Sequence, residues 1–347
     1  MAETARHNIA VAMSGGVDST VCAALLRRQY AVHGFFMDIG LPDREAQLAQ
    51  VRAIAAQLAV PLEVIDLRQA FHAEVIGYFR RSYLAGRTPN PCVVCNPRIK
   101  FGRLLDEVRR RGMEKMATGH YVRLRRDSEG IHLFTGSDPK KDQSYFLCGV
   151  SEPQLAHLLF PLGDLTKEKV CRLAIDLGFR QFAEGGSESQ DACFLQGRGV
   201  GDFLKDETEG QKGDIVSTTG ERLGRHAGLF HYTVGQRRGL GICDATPSYV
   251  IGLDPTTRHV IVGKELDLWR RELRVTDMSW IAGAPAALPL ACRVRIRSRH
   301  AAAEAELVRD GDGWRILFQA PQRAVTPGQF AVVYRGDEVL GGGEIAG

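Results

Sequence analysis

The sequence predicts an α/β fold, with a parallel sheet of Rossmann-like type, then a small mainly-β central domain, then a C-terminal β-barrel. Three observations carry that prediction. Short apolar runs alternate with amphipathic ones from residue 8 to about 120, the pattern of a sheet with helices on both faces. Composition turns Gly- and Ser-rich after residue 183. From about residue 271 the runs become longer and of period two, as barrel strands require.

In chain order, Ile9–Met13 reads as the first strand and Asp18–Gln29 as a helix with Val21, Leu25 and Leu26 on its apolar face. Val32–Met37 is a second buried strand, Glu45–Leu58 an Ala- and Leu-rich helix, and Leu62–Leu67 a third strand. Lys115–Val122 predicts a later strand of the same sheet, carrying Thr118-Gly119-His120. Ligands of open α/β sheets sit outside the carboxyl ends of the strands, so the loops after these strands are expected to converge. Glu184–Gly201 reads as a mobile loop. Gly213–Val262 holds short strand-like runs broken by glycines, and Leu290–Ser298, Ala303–Val308, Trp314–Phe318 and Gln329–Tyr334 are the expected barrel strands. Asp310-Gly311-Asp312-Gly313 is a strong turn between two of them. The expected domains are 1–200, 201–268 and 269–347.

At 347 residues, 44% hydrophobic and 25% charged, the chain has the composition of a globular protein with a sizeable core. No apolar run reaches the roughly 18 residues of a membrane span. Met1–Asn8 lacks the basic start and apolar stretch of a secretory signal, so the expected location is the cytoplasm, with no membrane partner. There the eight cysteines are expected as thiols rather than a disulfide framework.

Ser14-Gly15-Gly16-Val17-Asp18-Ser19 lies between the first strand and the first helix. Gly15 and Gly16 let the backbone approach phosphate oxygens without a Cβ in the way. The first helical amides and the helix dipole then favour the anion. Ser14 and Ser19 can add hydroxyl donors, and Asp18 could help hold Mg²⁺. The loop lacks the Lys-Ser/Thr ending of a Walker loop. A plain tight turn capped by Asp18 or Ser19 is the simpler reading, and it leaves the coincidence of five such residues unexplained.

Two further segments carry thiols. Thr88–Asn96, with Pro89 and Pro91 around Asn90, reads as a stiff turn-forming loop bearing Cys92-Val93-Val94-Cys95. Ser187–Phe194 carries Cys193 in the Gly-rich stretch. One thiol on a rigid loop and one on a flexible loop suit a redox pair that closes into a disulfide. Structural zinc would need a second Cys or His pair, and none is closely spaced. Cys22, Cys148 and Cys171 fall on apolar helical faces and read as core, while Cys243 and Cys292 have no evident partner.

The net charge of +4 says little, but its distribution says more. Arg293, Arg295, Arg297 and Arg299 alternate with Val294, Ile296 and Ser298, which places four cations on one strand face. Such a row suits a phosphate backbone, against the simpler reading of a solvated face. Arg98, Lys100, Arg103, Arg109–Arg111, Arg123, Arg125, Arg126 and Arg237-Arg238 add positive charge elsewhere.

The Ser14–Ser19 loop resembles that of the PP-loop ATP pyrophosphatase superfamily, whose members split ATP to AMP and pyrophosphate to adenylate an oxygen. Together with TPNPCVVCNPRIKFG (88–102), ATGHYVR (117–123), KKDQSYFL (140–147), SESQDACFL (187–195), HYTVGQRRGLGI (231–242) and VTPGQFAVVY (325–334), the chain resembles the tRNA-specific 2-thiouridylases over nearly its whole length. The resemblance implies ATP-dependent 2-thiolation of the tRNA wobble uridine. Ala12, Met13, Ser14, Gly15, Gly16, Val17, Asp18, Ser19, Met37 and Gly119 would contact ATP, with Mg²⁺. Asn90, Pro91 and Cys92 would face the target base, whose O2 is adenylated. Cys193 would carry the persulfide that attacks C2, and Cys95 would be its partner thiol. His120, Lys141, Asp142, Gln143, Arg297, Ser298 and Gln329 match tRNA-contacting positions. The implied partners are tRNAs accepting Lys, Glu and Gln, and a persulfide relay from a cysteine desulfurase.

The chain departs from the family pattern in three places. Cys92 stands where many relatives have Asp, so Cys92, Cys95 and Cys193 leave open a [4Fe–4S] cluster as the alternative. The Asp38–Arg44 segment is short, and Ala192 replaces Ile before Cys193. A PP-loop amidotransferase or ligase acting on a small metabolite is the rival enzyme, and would need neither thiol. An RNA-binding or sulfur-carrier protein with a degenerate loop is the rival outside enzymes.

Overall fold

The computed structural model describes residues 7–128, 130–182, 192–207 and 212–346. Its first unit is built on a parallel five-stranded sheet, in the order β3-β2-β1-β4-β7. These strands are β1 (Asn8–Ala12), β2 (Ala31–Asp38), β3 (Leu62–Asp66), β4 (Met116–Ala117) and β7 (Leu158–Leu159). Helices α1 (Val17–Leu26) and α2 (Arg44–Gln57) follow β1 and β2. The chain runs outward from β1 to β3, then returns to the other side of β1 with β4. The reversal between β1 and β4 is the topological switch point at which such sheets bind ligands.

Two separate cores pack the faces of this sheet. Ile9, Val11, Val21, Leu48, Val51 and Ile54 belong to one, and Ala10, Phe35, Phe71, Phe79, Ile99 and Leu104 to the other. Alternate β1 residues therefore point to opposite cores, as the pleat dictates. The expected long strand at Lys115–Val122 shortens to the two residues of β4. Beyond it, β5 (Val122–Asp127) and β6 (Gly130–Thr135) form a hairpin that leaves the parallel sheet.

A middle sheet in the order β10-β11-β8-β9 follows, from β8 (Gly213–Val216), β9 (Arg222–His226), β10 (Tyr249–Asp254) and β11 (His259–Gly263). The last unit is a closed six-strand barrel. Its strands are β12 (Trp269–Trp280), β13 (Leu290–Arg295), β14 (Ala303–Asp310), β15 (Gly313–Arg323), β16 (Phe330–Arg335) and β17 (Glu338–Ile345). Pairing of β12 with both β15 and β17 closes the ring. The β5–β6 hairpin adds to its outside through β17, so the first and last units share one hydrogen-bonded sheet.

Two expectations change here. The Thr88–Asn96 loop is a helix from Pro91 onward: Pro91–Cys95 is α-helical, Asn96–Leu104 is wound as a wider π-helix, and Leu105–Arg110 returns to α. Pro91 sits at the helix start, where its missing N–H costs nothing. The expected strand Leu290–Ser298 ends at Arg295, so the four arginines do not share one strand face.

Candidate active site

The Ser14–Ser19 loop sits at the carboxyl end of β1 and is held from within. The Ser14 backbone N–H and hydroxyl donate to Ser19 Oγ at 3.2 and 3.3 Å, and Ser19 Oγ donates to the Gly16 carbonyl at 3.0 Å. Gly15 lies at φ +85°, in the left-handed region that favours glycine, and a Cβ there would come within 3.1 Å of Val51. Gln50 Nε2 donates to its carbonyl at 2.9 Å, which pins the loop to α2. Ala12 and Met37 are half-buried at their strand ends, while Met13 is packed in the core.

Gly119, just beyond β4, closes the other side. A Cβ at this position would lie 2.8 Å from the backbone carbon and the Cβ of Asp18, so only glycine permits this approach. Asp18 itself is engaged by protein. Lys167 Nζ donates to both of its carboxylate oxygens at 2.8 Å, and the Tyr121 hydroxyl donates to Oδ1 at 2.7 Å. Sequence reasoning missed Lys167, which opens the helix Lys167–Asp176 and lies almost 150 positions from its partner. The Asp18 carboxylate thus already faces one cation of the protein.

The predicted thiols do come together. Cys95 is buried in the helix, and Cys92 and Cys193 keep exposed surface. Burial raises all three thiols above the ordinary range, Cys95 to about 12. Charge on Cys193 or Cys92 raises Cys95 further, and charge on Cys92 raises Cys193, so the three sulfurs share one electrostatic neighbourhood. Lys100 opposes the rise at each. Among the described residues, no group of three His, Cys, Asp or Glu side chains is placed to hold a metal ion. That removes the support for a [4Fe–4S] cluster on Cys92, Cys95 and Cys193.

The stretch around Cys193 is also less loose than its composition suggested. Phe194 packs edge-on to Phe71 and Phe79 at centroid distances of 6.0 and 5.0 Å, and Arg198 donates to the Phe194 and Leu195 carbonyls. Cys193 therefore has a fixed apolar anchor immediately after it. Residues 184–191 of the expected mobile loop, Ser187–Asp191 included, lie outside the described residues. The short Asp38–Arg44 segment folds onto itself, with buried Asp38 accepting from Arg44 Nε at 2.5 Å and from the Gly40 N–H at 3.0 Å. Gln196 reaches Asp43, which joins that segment to the Cys193 turn.

The remaining predicted residues fall along the seam between the units. Asn90 caps the thiol helix by backbone alone, leaving its side chain out of the cap, and Pro91 is buried behind it. Thr88 N–H donates to the Pro327 carbonyl at 2.9 Å, Gln329 Nε2 donates to the Thr88 carbonyl at 2.9 Å, and the Thr88 hydroxyl donates to Thr233 Oγ1 at 3.2 Å. The segment expected to face the base is thus gripped by both later units. His120 lies tilted against Phe101 and edge-on to Phe160 and is bonded to Thr118 Oγ1; burial, and then Lys100, push its pKa well below the usual histidine range, so it is neutral. Lys141 is half-buried, and Gln143 Oε1 accepts from the Tyr121 N–H.

Asp142 proves to be an internal anchor rather than an exposed RNA contact. Its side chain is 3% exposed and bonded to Arg295 at 2.6 Å, to the Gly136 and Ser144 N–H groups and to the Ser144 hydroxyl. Arg295 is accordingly withdrawn from the expected cationic row, stacked over Tyr334 at 4.9 Å. Arg293 pairs with Glu304, and Arg297 and Ser298 lie half-buried in the turn after β13, with Arg297 donating to the Arg323 carbonyl.

With this geometry in place, comparison with known proteins is specific. The family described as tRNA methyl transferase HUP domain matches residues 7–197, the tRNA methyl transferase PRC-barrel domain 201–264, and the aminomethyltransferase beta-barrel domain 270–345. A tRNA-specific 2-thiouridylase from Desulfotalea psychrophila is 45% identical over 338 residues, covering 96% of this chain and 98% of the relative. One from Syntrophotalea carbinolica is 44% identical over 357 residues, covering 100% of both. Another from Geobacter metallireducens is 44% identical over 364 residues, covering 99% and 98%. The parallel-sheet unit, the middle sheet and the closed barrel follow in the order those matches require. The chain belongs to the tRNA-specific 2-thiouridylase family.

Proposed function

We propose that this protein is an ATP-dependent tRNA-uridine 2-sulfurtransferase that converts the wobble uridine to 2-thiouridine, with release of AMP and pyrophosphate. The observation that carries the reading is that buried Cys95 shares one apolar core with Phe194 and Leu195, the residues that follow accessible Cys193. A PP-loop ligase working on a small metabolite has no use for such a pair. The units we assign are 1–200 for adenylation and sulfur transfer, and 201–268 and 269–347 for tRNA.

In the proposed reaction, Ala12–Ser19, Met37 and Gly119 bind ATP, and Mg²⁺ arrives on the nucleotide phosphates rather than on a carboxylate of the protein. Uridine O2, held by Asn90, Pro91 and Cys92, attacks the α-phosphorus and pyrophosphate leaves. Adenylation turns a poor leaving oxygen into AMP. The terminal sulfur of the Cys193 persulfide then attacks C2; a C–S bond forms, the C–O bond to AMP breaks, and the base is joined to Cys193 through a disulfide. Cys95 thiolate attacks Cys193 Sγ, giving 2-thiouridine and a Cys95–Cys193 disulfide. The two electrons that reduce the transferred sulfur come from the thiols, and an external thiol reductant resets them. No step passes through an iron–sulfur cluster.

His120, Lys141, Gln143, Arg297, Ser298 and Gln329 are the proposed tRNA contacts, with tRNAs accepting Lys, Glu and Gln as substrates. The sulfur comes as a persulfide relayed from a cysteine desulfurase, in the cytoplasm. No helix among the described residues is long and apolar enough to cross a membrane. The test is incubation with ATP, a persulfide donor and unmodified tRNA, followed by nucleoside mass spectrometry. Formation of 2-thiouridine at the wobble position is expected, and its absence with both ATP and donor present sinks the proposal.

A further inference from the structure

One cation at the sulfur site has no place in the reaction above. Lys100 is half-buried, and among the described residues its ammonium has no ion pair and no hydrogen bond. Its neighbour Phe101 shares one core with Cys95 and with Phe194, which follows Cys193, and its charge lowers Cys92, Cys95, Cys193 and His120 alike. Among the described residues, His120 also feels this charge, and burial together with Lys100 keeps it neutral.

The backbone accounts for this placement. In a regular helix, five positions carry a side chain well round to another flank. Lys100 is five positions after Cys95, but Asn96–Leu104 is wound i→i+5, which brings such a pair back towards one face. Pro97 has no N–H to donate and its ring collides with the preceding turn, so regular winding fails there. Gln154 Nε2 holds the wide turn open, donating to the Pro97 and Phe101 carbonyls at 2.8 and 3.0 Å. A Cβ at Gly102 would lie 2.8 Å from the Pro97 oxygen, so glycine is required where the turns close.

We propose that Lys100 is the counter-ion of the reacting sulfur, its ammonium holding the Cys193 persulfide anion before attack and the Cys95 thiolate when it resolves the mixed disulfide. The inference deepens the proposed sulfur transfer and rests on it. Lys100 forms no covalent bond and gives up no proton; it is a positioning residue that acts through the sulfurs. A single positive charge in a half-buried setting is screened less than one in water, so its effect on a sulfur anion is large.

The test is the pH dependence of iodoacetamide alkylation at Cys193 and Cys95, resolved by peptide mass spectrometry, in the full protein without ATP or tRNA. Lys100→Met and Lys100→Gln are expected to alkylate about tenfold more slowly near neutral pH and to reach the same rate at high pH, as a one-unit shift requires. Lys100→Arg keeps the charge and is expected to follow the wild type. Superimposable profiles for Met, Gln and wild type overturn the proposal, whether or not the KM for tRNA rises, since a phosphate-binding lysine would alter tRNA affinity alone. Because alkylation needs neither substrate, failure of the wild type to make 2-thiouridine counts against the function and not against this result.

Discussion

The nucleotide loop and the sulfur site are built on opposite plans. In the loop nearly every polar group already has a partner: Ser14 and Ser19 bond to each other, Gln50 holds Gly15, and Lys167 and Tyr121 hold Asp18. At the sulfur site the thiols are unbonded to one another, and Lys100 has no acid partner among the described residues. A site that stabilises a fixed charge pattern gains from preorganisation. A site whose sulfurs must change bonding partners gains from groups left free to respond. Three consecutive residues join the two: Thr118 bonds His120, Gly119 touches Asp18, and His120 packs beside Phe101 on the thiol helix.

Removing either thiol should break the comparison most sharply. Cys193→Ser and Cys95→Ser are each expected to lower 2-thiouridine formation at least about a thousandfold, as loss of a covalent nucleophile does, while ATP binding by titration calorimetry is unchanged. Next in size is Asp142→Asn, which leaves Arg295 facing a neutral partner in a largely buried pair. A loss of about 3 kcal/mol in denaturant unfolding is expected; an unchanged midpoint combined with weaker tRNA binding would return Asp142 to the RNA surface. Gly119→Ala is expected to cost about 1–3 kcal/mol through overpacking against Asp18 and to weaken ATP binding, leaving alkylation of Cys193 near the wild-type rate.

Much of the geometry of the candidate nucleotide loop was legible in the sequence, because glycines, hydroxyls and strand ends are local signals. The sulfur site was legible in composition but not in shape. Pro89, Pro91 and Pro97 read as turn signals, yet Pro91 starts a helix and Pro97 widens it. No local pattern could reveal that Arg295 leaves the arginine row for Asp142, 153 positions away, or that the Val122–Thr135 hairpin would join the barrel through β17. Lys167 was missed for the same reason. Its partner is fixed by the sheet order, which sequence periodicity does not encode.

A further expected effect concerns pH. Burial raises Cys95, Cys148 and Cys292 from 9.0 to about 12. Between those values the unfolded chain has lost these protons and the folded chain keeps them, so stability falls as pH rises. The denaturant midpoint should decline progressively from pH 9 to 12; a flat midpoint across that window would contradict the burial of these thiols.

The most direct measurement is a single turnover with enzyme carrying a Cys193 persulfide, ATP and unmodified tRNA, quenched in acid and analysed by non-reducing peptide mass spectrometry. The expected result is one Cys95–Cys193 disulfide for each 2-thiouridine formed. Stoichiometric 2-thiouridine with both cysteines still free would contradict the two-thiol account.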